Sequence, residues 1–311
     1  MPSDLRFEVS RRDALKLVAT SMASLSAPWL AASETHAKAI KKLIPKSGEQ
    51  LSAIGLGSSR TFNDYKDAET ANELTSILKV FFRQQGQVLD SSPMYGPAET
   101  AIGHLLKNVS SKQEMFAASK VWTDGEQAGV RQMQESMAKM RVEVMDLMQI
   151  HNLRDWQVHL KTLRDWKAQG KIRYIGITTS HGRAHEELLD IMSREPLDFV
   201  QLSYNIADRK VENRLLPMAS DKGIATLINR PFARGDLFKQ VSNKELPKWA
   251  EEFDCRSWGQ FFLKFVASHP ASTCVIPATS KLKHMLDNMG ANFGNLPEAK
   301  MRQRMIEYVQ S

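Results

Sequence analysis

Four residues, each at the end of a short apolar run or in the turn after it, carry the chemistry this chain can do. They are Asp90 and Tyr95 in VLDSSPMYG, Lys120 in MFAASKVW and His151 in DLMQIHN. An apolar run that gives way at once to a polar side chain is how a buried parallel strand looks where it opens onto the catalytic face of a barrel. An acid, a phenol, an amine and an imidazole then meet at one end of one sheet. A free tyrosine, with a pKa of about 10, is a poor proton donor at neutral pH, and an ammonium beside it favours the phenolate and brings it towards working range. Lys120 is the candidate for that charge. A buried ammonium needs a counter-ion, which Asp90 can supply, and His151 is left to hydrogen-bond a substrate oxygen. Taken singly, each is also what a strand cap, a solvated lysine or a structural histidine looks like; at consecutive strand ends they read as a site.

Bringing four such groups together requires strands that converge. Eight candidates, IGLG, QVLD, MFAAS, DLMQI, IRYIGI, FVQLS, IATLI and TCVIP, alternate with longer stretches of helical periodicity. Those stretches lie near residues 67–85, 98–107, 126–140, 157–169, 183–194, 210–222, 256–268 and 281–290. Several stop at a glycine suited to a left-handed cap, as at Gly170 and Gly223. Residues 297–310 read as an extra helix outside the repeat, and KLIPKSGEQLSAI as a hairpin that plugs the barrel bottom. The predicted class is therefore α/β: a (β/α)8 TIM barrel with an N-terminal β-hairpin cap and an extra C-terminal helix. A chain of 311 residues, 42% hydrophobic and 25% charged, can bury one large core, and no linker, repeat or low-complexity run divides residues 40–311.

The motifs around these four residues, in order, resemble the aldo-keto reductase family. The likeness runs through IPKSGEQLSAIGLG, LDSSPMYGPAETAIGHLL, ASKVW, SMAKMRVEVMDLMQIHN, WKAQGKIRYIGITTS, FVQLSYN, INRPFARGDL and VIPATSKLKHMLDNMGA, roughly residues 41 to 293. By this resemblance Asp90, Tyr95, Lys120 and His151 fall on the family's catalytic tetrad, and the reaction implied is NAD(P)H-dependent reduction of a small-molecule aldehyde or ketone. Tyr95 would donate the proton, supported by Lys120 and Asp90, while His151 orients the carbonyl. Thr178 and Thr179 stand where the family commonly has Ser and Asn for the nicotinamide carboxamide, and Gln201 falls on its carboxamide-binding Gln. Asn229 stands where many members stack a Tyr on the nicotinamide ring, and Arg230, beside Pro231, can stack or pair with a phosphate. Arg234 and the backbone at Gly235 suit a pyrophosphate. Thr279, Ser280, Lys281 and Lys283 surround a helix start, which favours phosphate. His284 stands where many NADP-dependent members carry Arg, and Asp287 and Asn288 match the family's contacts to adenine. This Ser/Thr/Lys cluster favours NADP (NADPH) over NAD. Phe62, Met94, Trp122 and Trp156 are candidate walls of an open substrate pocket. A nucleotide-binding redox sensor or regulatory subunit with little turnover is the alternative, and a lyase or isomerase on the same barrel a third.

Residues 1–39 carry a separate message. Ser10-Arg11-Arg12-Asp13 is followed by the apolar LVATSMASLSAPWLAA and then by Ala37-Lys38-Ala39, a small-residue cleavage pattern; the segment resembles a twin-arginine export signal. It implies the twin-arginine machinery as a partner, cleavage near Ala39 and a periplasmic mature chain. The apolar run is too short, and too rich in Ser, to leave a stable membrane span. Cys255 and Cys274 are expected free and buried, because a helix of about 12 residues, roughly 18 Å, separates them. The net charge of +7 helps attract anionic nucleotides, but no basic run with interleaved aromatics points to nucleic acid. No Cys/His cluster has metal-ligand spacing, so no metal is expected. The protein is expected to be a monomer.

Overall fold

The computed structural model describes residues 38–110, 112 and 114–311, so the paired arginines and the apolar run of the expected export signal lie outside the described residues. Eight parallel strands form one sheet: β3 (Leu56–Gly57), β4 (Val88–Asp90), β5 (Phe116–Val121), β6 (Met145–His151), β7 (Ile172–Thr178), β8 (Phe199–Ser203), β9 (Ala225–Asn229) and β10 (Cys274–Val275). Each pairs with its sequence neighbour, and parallel bridges Ile54–Val275 and Gly57–Ala278 close the sheet into a barrel. All eight runs read from the sequence lie in this barrel.

Among the described residues ten helices intervene or follow: α1 (Ala68–Arg83), α2 (Ala98–Leu105), α3 (Glu126–Met140), α4 (Trp156–Ala168), α5 (His185–Arg194), α6 (Leu215–Asp221), α7 (Asp236–Gln240), α8 (Trp258–Ala267), α9 (Leu282–Gly290) and α10 (Ala299–Gln310). Gly170 and Gly223 have φ of 72° and 63°, the left-handed stops their positions predict. Two details differ from the periodicity. The stretch near 210–222 is a 3-10 turn at Lys210–Glu212 followed by α6, because Pro217 lacks an N–H and is tolerated only in a helix's first turn. The five-residue α7 follows β9 and is too short to show a period.

Period-two alternation along the strands sorts the core into two faces. Leu89, Ala117, Met148, Ile150, Ile175, Val200 and Ile228 point out beneath the helices. Val88, Phe116, Ala118, Leu147, Tyr174, Phe199, Ala225 and Leu227 point in and pack around Ile44 and Leu51. Ile44 follows β1 (Lys41–Leu43), which pairs antiparallel with β2 (Gln50–Ser52), the strand that carries Leu51. The hairpin thus plugs the barrel where the strands begin, as expected. It is tied there by Tyr174, whose hydroxyl bonds Ser47 Oγ at 2.9 Å and Glu49 Oε2 at 2.6 Å. Counting on by twos along each inward face leads from this apolar floor to Asp90, Lys120, His151, Thr178 and Gln201.

One inward position is kept empty. A Cβ on Gly176 would lie 2.9 Å from Gln149 Cγ and 3.2 Å from Phe199 Cβ. We expect Gly176→Ala to lower stability by about 1–3 kcal/mol, read as a lower denaturant midpoint at unchanged m-value. Wild-type stability in this variant would mean the interior yields more easily than its packing suggests.

Candidate active site

The centre of the site is a buried ion pair. Lys120 is 0% exposed and Asp90 2%. The ammonium donates to Asp90 Oδ1 at 2.8 Å, to Asp90 Oδ2 at 2.7 Å and to Ser91 O at 2.7 Å. Barrel register explains the encounter, since Asp90 pairs with Ala118, two residues before Lys120 on the same inward face. Gln149, level with Lys120 on the next strand, donates its amide to Asp90 Oδ1 at 3.1 Å. Burial alone would lower the Lys120 pKa; the charge of Asp90, helped by Tyr95 and Glu99, outweighs it and holds the amine above its ordinary value.

Tyr95 follows in the one-turn 3-10 helix Pro93–Tyr95, with the Lys120 ammonium 5.2 Å from its ring centroid. The sequence reading expected Lys120 to bring this phenol towards working range. The net shift is instead upward, because burial outweighs the pull of Lys120, and Asp90, which cancels much of that charge, adds to the rise. The phenol therefore stays protonated, the form a proton donor needs.

His151 ends β6 with its ring 5.8 Å from that of Tyr95. Its pKa falls to about 3, first by burial and then by the Lys120 charge, so the ring is neutral at working pH. Nδ1 lies 2.8 Å from Ser92 Oγ, which already accepts the Met94 N–H at 3.2 Å. With the Ser92 hydroxyl donating to Nδ1, the neutral ring carries its proton on Nε2 and presents it as a donor. Ser92, Ser91 and Gln149 were not singled out from the sequence. Gln149 was findable, being two residues before His151 on the same face; the serines sit in a loop where no periodicity applies.

These groups open into a cavity of about 1120 Å³. It exceeds the roughly 300–1,000 Å³ of a single small-molecule site, as a dinucleotide together with a substrate requires. Thr178, Thr179, Gln201, Asn229, Arg230, Pro231, Arg234, Gly235, Thr279, His284, Asp287 and Asn288 all face it. Thr178 Oγ1 accepts the Asn152 N–H at 3.2 Å. Thr179 Oγ1 and Gln201 Nε2 are buried with no hydrogen-bond partner among the described residues. A buried orphan donor and an orphan hydroxyl on adjacent strands are what a carboxamide would satisfy, so this end fits a nicotinamide. Asn229 bridges three strands: its amide oxygen accepts from Ser203 Oγ at 2.6 Å, and its Nδ2 donates to Thr179 O at 3.2 Å. It is a crosslink where the family commonly has a ring platform.

Other candidates fall elsewhere. Ser280, Lys281 and Lys283 do not line the cavity. Lys281 turns to Glu73, 3.3 Å away, and Glu73 also accepts the Leu282 N–H at 3.4 Å, so a carboxylate stands at the helix start where a phosphate was expected. Asp287 faces the cavity with its oxygens held by Ser257 Oγ at 2.8 Å and Gln260 Nε2 at 2.9 Å. Of the proposed pocket walls only Met94 lines the cavity. Phe62 is fully buried in the outer core, Trp156 packs against that core at the start of α4, and Trp122 stacks with Arg154 at 5.2 Å beside His151. Aromatic area is more readily buried than left at a rim. Cys255 and Cys274 are free and buried. Among the described residues no cluster of His, Cys, Asp and Glu is arranged for a metal ion.

A profile of the Aldo/keto reductase family matches residues 53–305. Aldo-keto reductase YhdN of Bacillus subtilis (strain 168) is 25% identical over 219 residues, 65% of this chain and 64% of that protein, so the chain spans somewhat less than two thirds of this relative's length. The holo form of aldo-keto reductase AKR11C1 from Bacillus halodurans superposes with a TM-score of 0.71 at 20% identity, over 88% of this chain and 96% of the other. An aldo/keto reductase from Klebsiella pneumoniae, solved with NADP and acetate, superposes with a TM-score of 0.69 at 19% identity, over 86% and 95%. At these identities the two structures speak for the fold.

The serine contact generates a test. Ser92→Ala should lower kcat about tenfold by freeing the His151 tautomer, with nucleotide Kd unchanged, and Ser92→Thr should restore most of the rate. If Ser92→Ala keeps the wild-type rate, Ser92 does not position His151.

Proposed function

The chain belongs to the aldo/keto reductase family, and from that premise we propose that it is an oxidoreductase reducing aldehyde or ketone groups with a nicotinamide cofactor, NADPH in preference to NADH. The observation that carries this reading is the buried Lys120–Asp90 pair against a protonated Tyr95 and a neutral His151, in a cavity whose neighbouring strand ends hold the orphaned Thr179 and Gln201 groups. When bound, the reduced nicotinamide supplies the hydride that the carbonyl carbon takes up. His151 Nε2–H and the Tyr95 hydroxyl hold the carbonyl oxygen, and as negative charge builds there Tyr95 passes its proton to it, giving an alcohol. Lys120 lies close enough to stabilise the phenolate left behind, and Asp90 keeps Lys120 charged and fixed.

The preference for NADPH is supported by the Klebsiella pneumoniae aldo/keto reductase, solved with NADP and with NADPH. The cavity-facing Arg234, Thr279 and His284 suit a phosphate-rich ligand. A redox sensor on the same barrel is the competing reading, and turnover separates the two. Purified protein should oxidise NADPH in the presence of a generic aldehyde, and Tyr95→Phe should lower kcat roughly a hundredfold or more while NADPH affinity stays within twofold. NADPH binding with no turnover of any aldehyde would favour the sensor.

Arg11 and Arg12, the apolar run and Ala37-Lys38-Ala39 support export as a folded protein through a twin-arginine-type signal, cleavage near Ala39 and a periplasmic mature enzyme. Replacing Arg11 and Arg12 together by Lys keeps the charge and removes the paired guanidinium groups, so full-length protein should accumulate in the cytoplasm on fractionation. Export of the double variant at the wild-type level would point to another route.

A further inference from the structure

Four guanidinium groups line the cavity without a carboxylate partner among the described residues. Arg60 comes from the loop after β3, Arg183 from the loop after β7, and Arg230 and Arg234 from the loop after β9. Fourteen ion pairs link other residues, yet none of these four takes part in one among the described residues. The two carboxylates on the cavity wall are already engaged, Asp90 with Lys120 and Asp287 with Ser257 and Gln260. The first and fifth strands of an eight-stranded barrel stand on opposite sides of its mouth, so Arg60 and Arg183 approach from opposite directions.

Their charges nevertheless converge. Arg230, half-buried, is pushed down to about 10 by burial and then by Arg234, Arg183 and Arg60. It donates to His181 Nε2. Its charge is also felt at the Tyr95 phenol. Arg60, His181, Arg230 and Arg234 all have positive φ, between 55° and 67°, which costs side-chain-bearing residues energy and persists where the surroundings impose it. Like charges gathered at a concave site without carboxylate partners among the described residues, three of the four on strained backbone, are poised for an anion.

The nucleotide's phosphates account for only part of this array. Arg234, the neighbouring backbone at Gly235 and Thr279 suit them, on the side of the cavity formed by the loops after β9 and β10. Arg60 and Arg183 belong to other loops of the same cavity wall; their charges reach Arg230, and the charge of Arg230 reaches Tyr95.

We propose that the substrate is a carbonyl compound bearing an anionic group, a carboxylate or a phosphate ester, which Arg60, Arg183 and Arg230 hold while its carbonyl faces Tyr95 and His151. This rests on the reductase reading and adds to it a substrate class. Guanidinium forks match the paired oxygens of either anion, so the group both binds the substrate and sets its orientation.

The test compares matched aldehydes at saturating NADPH: 4-carboxybenzaldehyde against its methyl ester, and glyceraldehyde 3-phosphate against glyceraldehyde. The wild type should favour the anionic member of at least one pair by tenfold or more in kcat/KM, and the pair with the larger ratio identifies the anion. Arg60→Gln and Arg183→Gln should each reduce that ratio about tenfold, with NADPH Kd, followed by its fluorescence, within twofold of wild type. In the wild type, KM for the anionic aldehyde should rise with ionic strength while KM for the neutral partner stays flat, a readout that needs no variant to fold. Neutral and anionic aldehydes reduced equally well would overturn the proposal and leave the reductase reading standing. Equal losses for both aldehydes with weakened NADPH binding would also overturn it, assigning these arginines to the cofactor. If no aldehyde of either kind is reduced, the reductase reading fails and the proposal with it.

Discussion

The Lys120–Asp90 ion pair is the constraint on which the rest of the site depends. Removing an ammonium from water is tolerable only where acceptors replace the lost hydration, and the barrel supplies three, two from Asp90 and one from Ser91. Both charges must be buried together, because either one alone would be an uncompensated ion in the interior. The geometry comes from strand register. Asp90, Lys120 and Gln149 sit on three successive strands, all on the inward face, so the polar triangle is fixed by the same hydrogen bonds that close the sheet.

From this pair the electrostatics spread outwards. His151 is held neutral by burial and by the Lys120 charge, and its Nδ1 is tied to Ser92 Oγ. Tyr95 feels Lys120 and Asp90 as opposed influences, and burial then decides that its proton stays on. A donor that is protonated and an imidazole that is neutral are complementary states, and one buried ion pair helps to set both.

Beyond the centre, the cavity wall changes character in steps. The unpartnered Thr179 and Gln201 groups offer hydrogen bonds to an amide, Asn229 ties the ends of β7, β8 and β9 together, and the arginines at the mouth offer positive charge without counter-ions. Moving outwards, the recognition on offer passes from neutral hydrogen bonding to charge. That order suits ligands whose reactive parts are neutral and whose peripheral groups are anionic.

Much of this was legible in the amino-acid order. The eight strands and most helices follow from local apolar periodicity, and Asp90, Lys120 and His151 announced themselves as polar residues ending apolar runs, a pattern each strand carries within itself. The hairpin plug was readable for the same reason. The broken helix at Pro217 carried its own signal, a residue without an N–H, which the period obscured. Four matters were decided only in three dimensions. Phe62 went to the outer core and Trp122 to the side of His151, because burial of an aromatic depends on what packs over it. Lys281 turned to Glu73, a partner 208 positions away in sequence. The direction of the Tyr95 shift depended on the balance of burial against two opposed charges. The convergence of Arg60, Arg183 and Arg230 arose because barrel closure brings loops from opposite sides to one mouth. Period and composition are local properties of a chain, whereas desolvation and charge balance depend on every atom nearby, and those neighbours are known only once the barrel has closed.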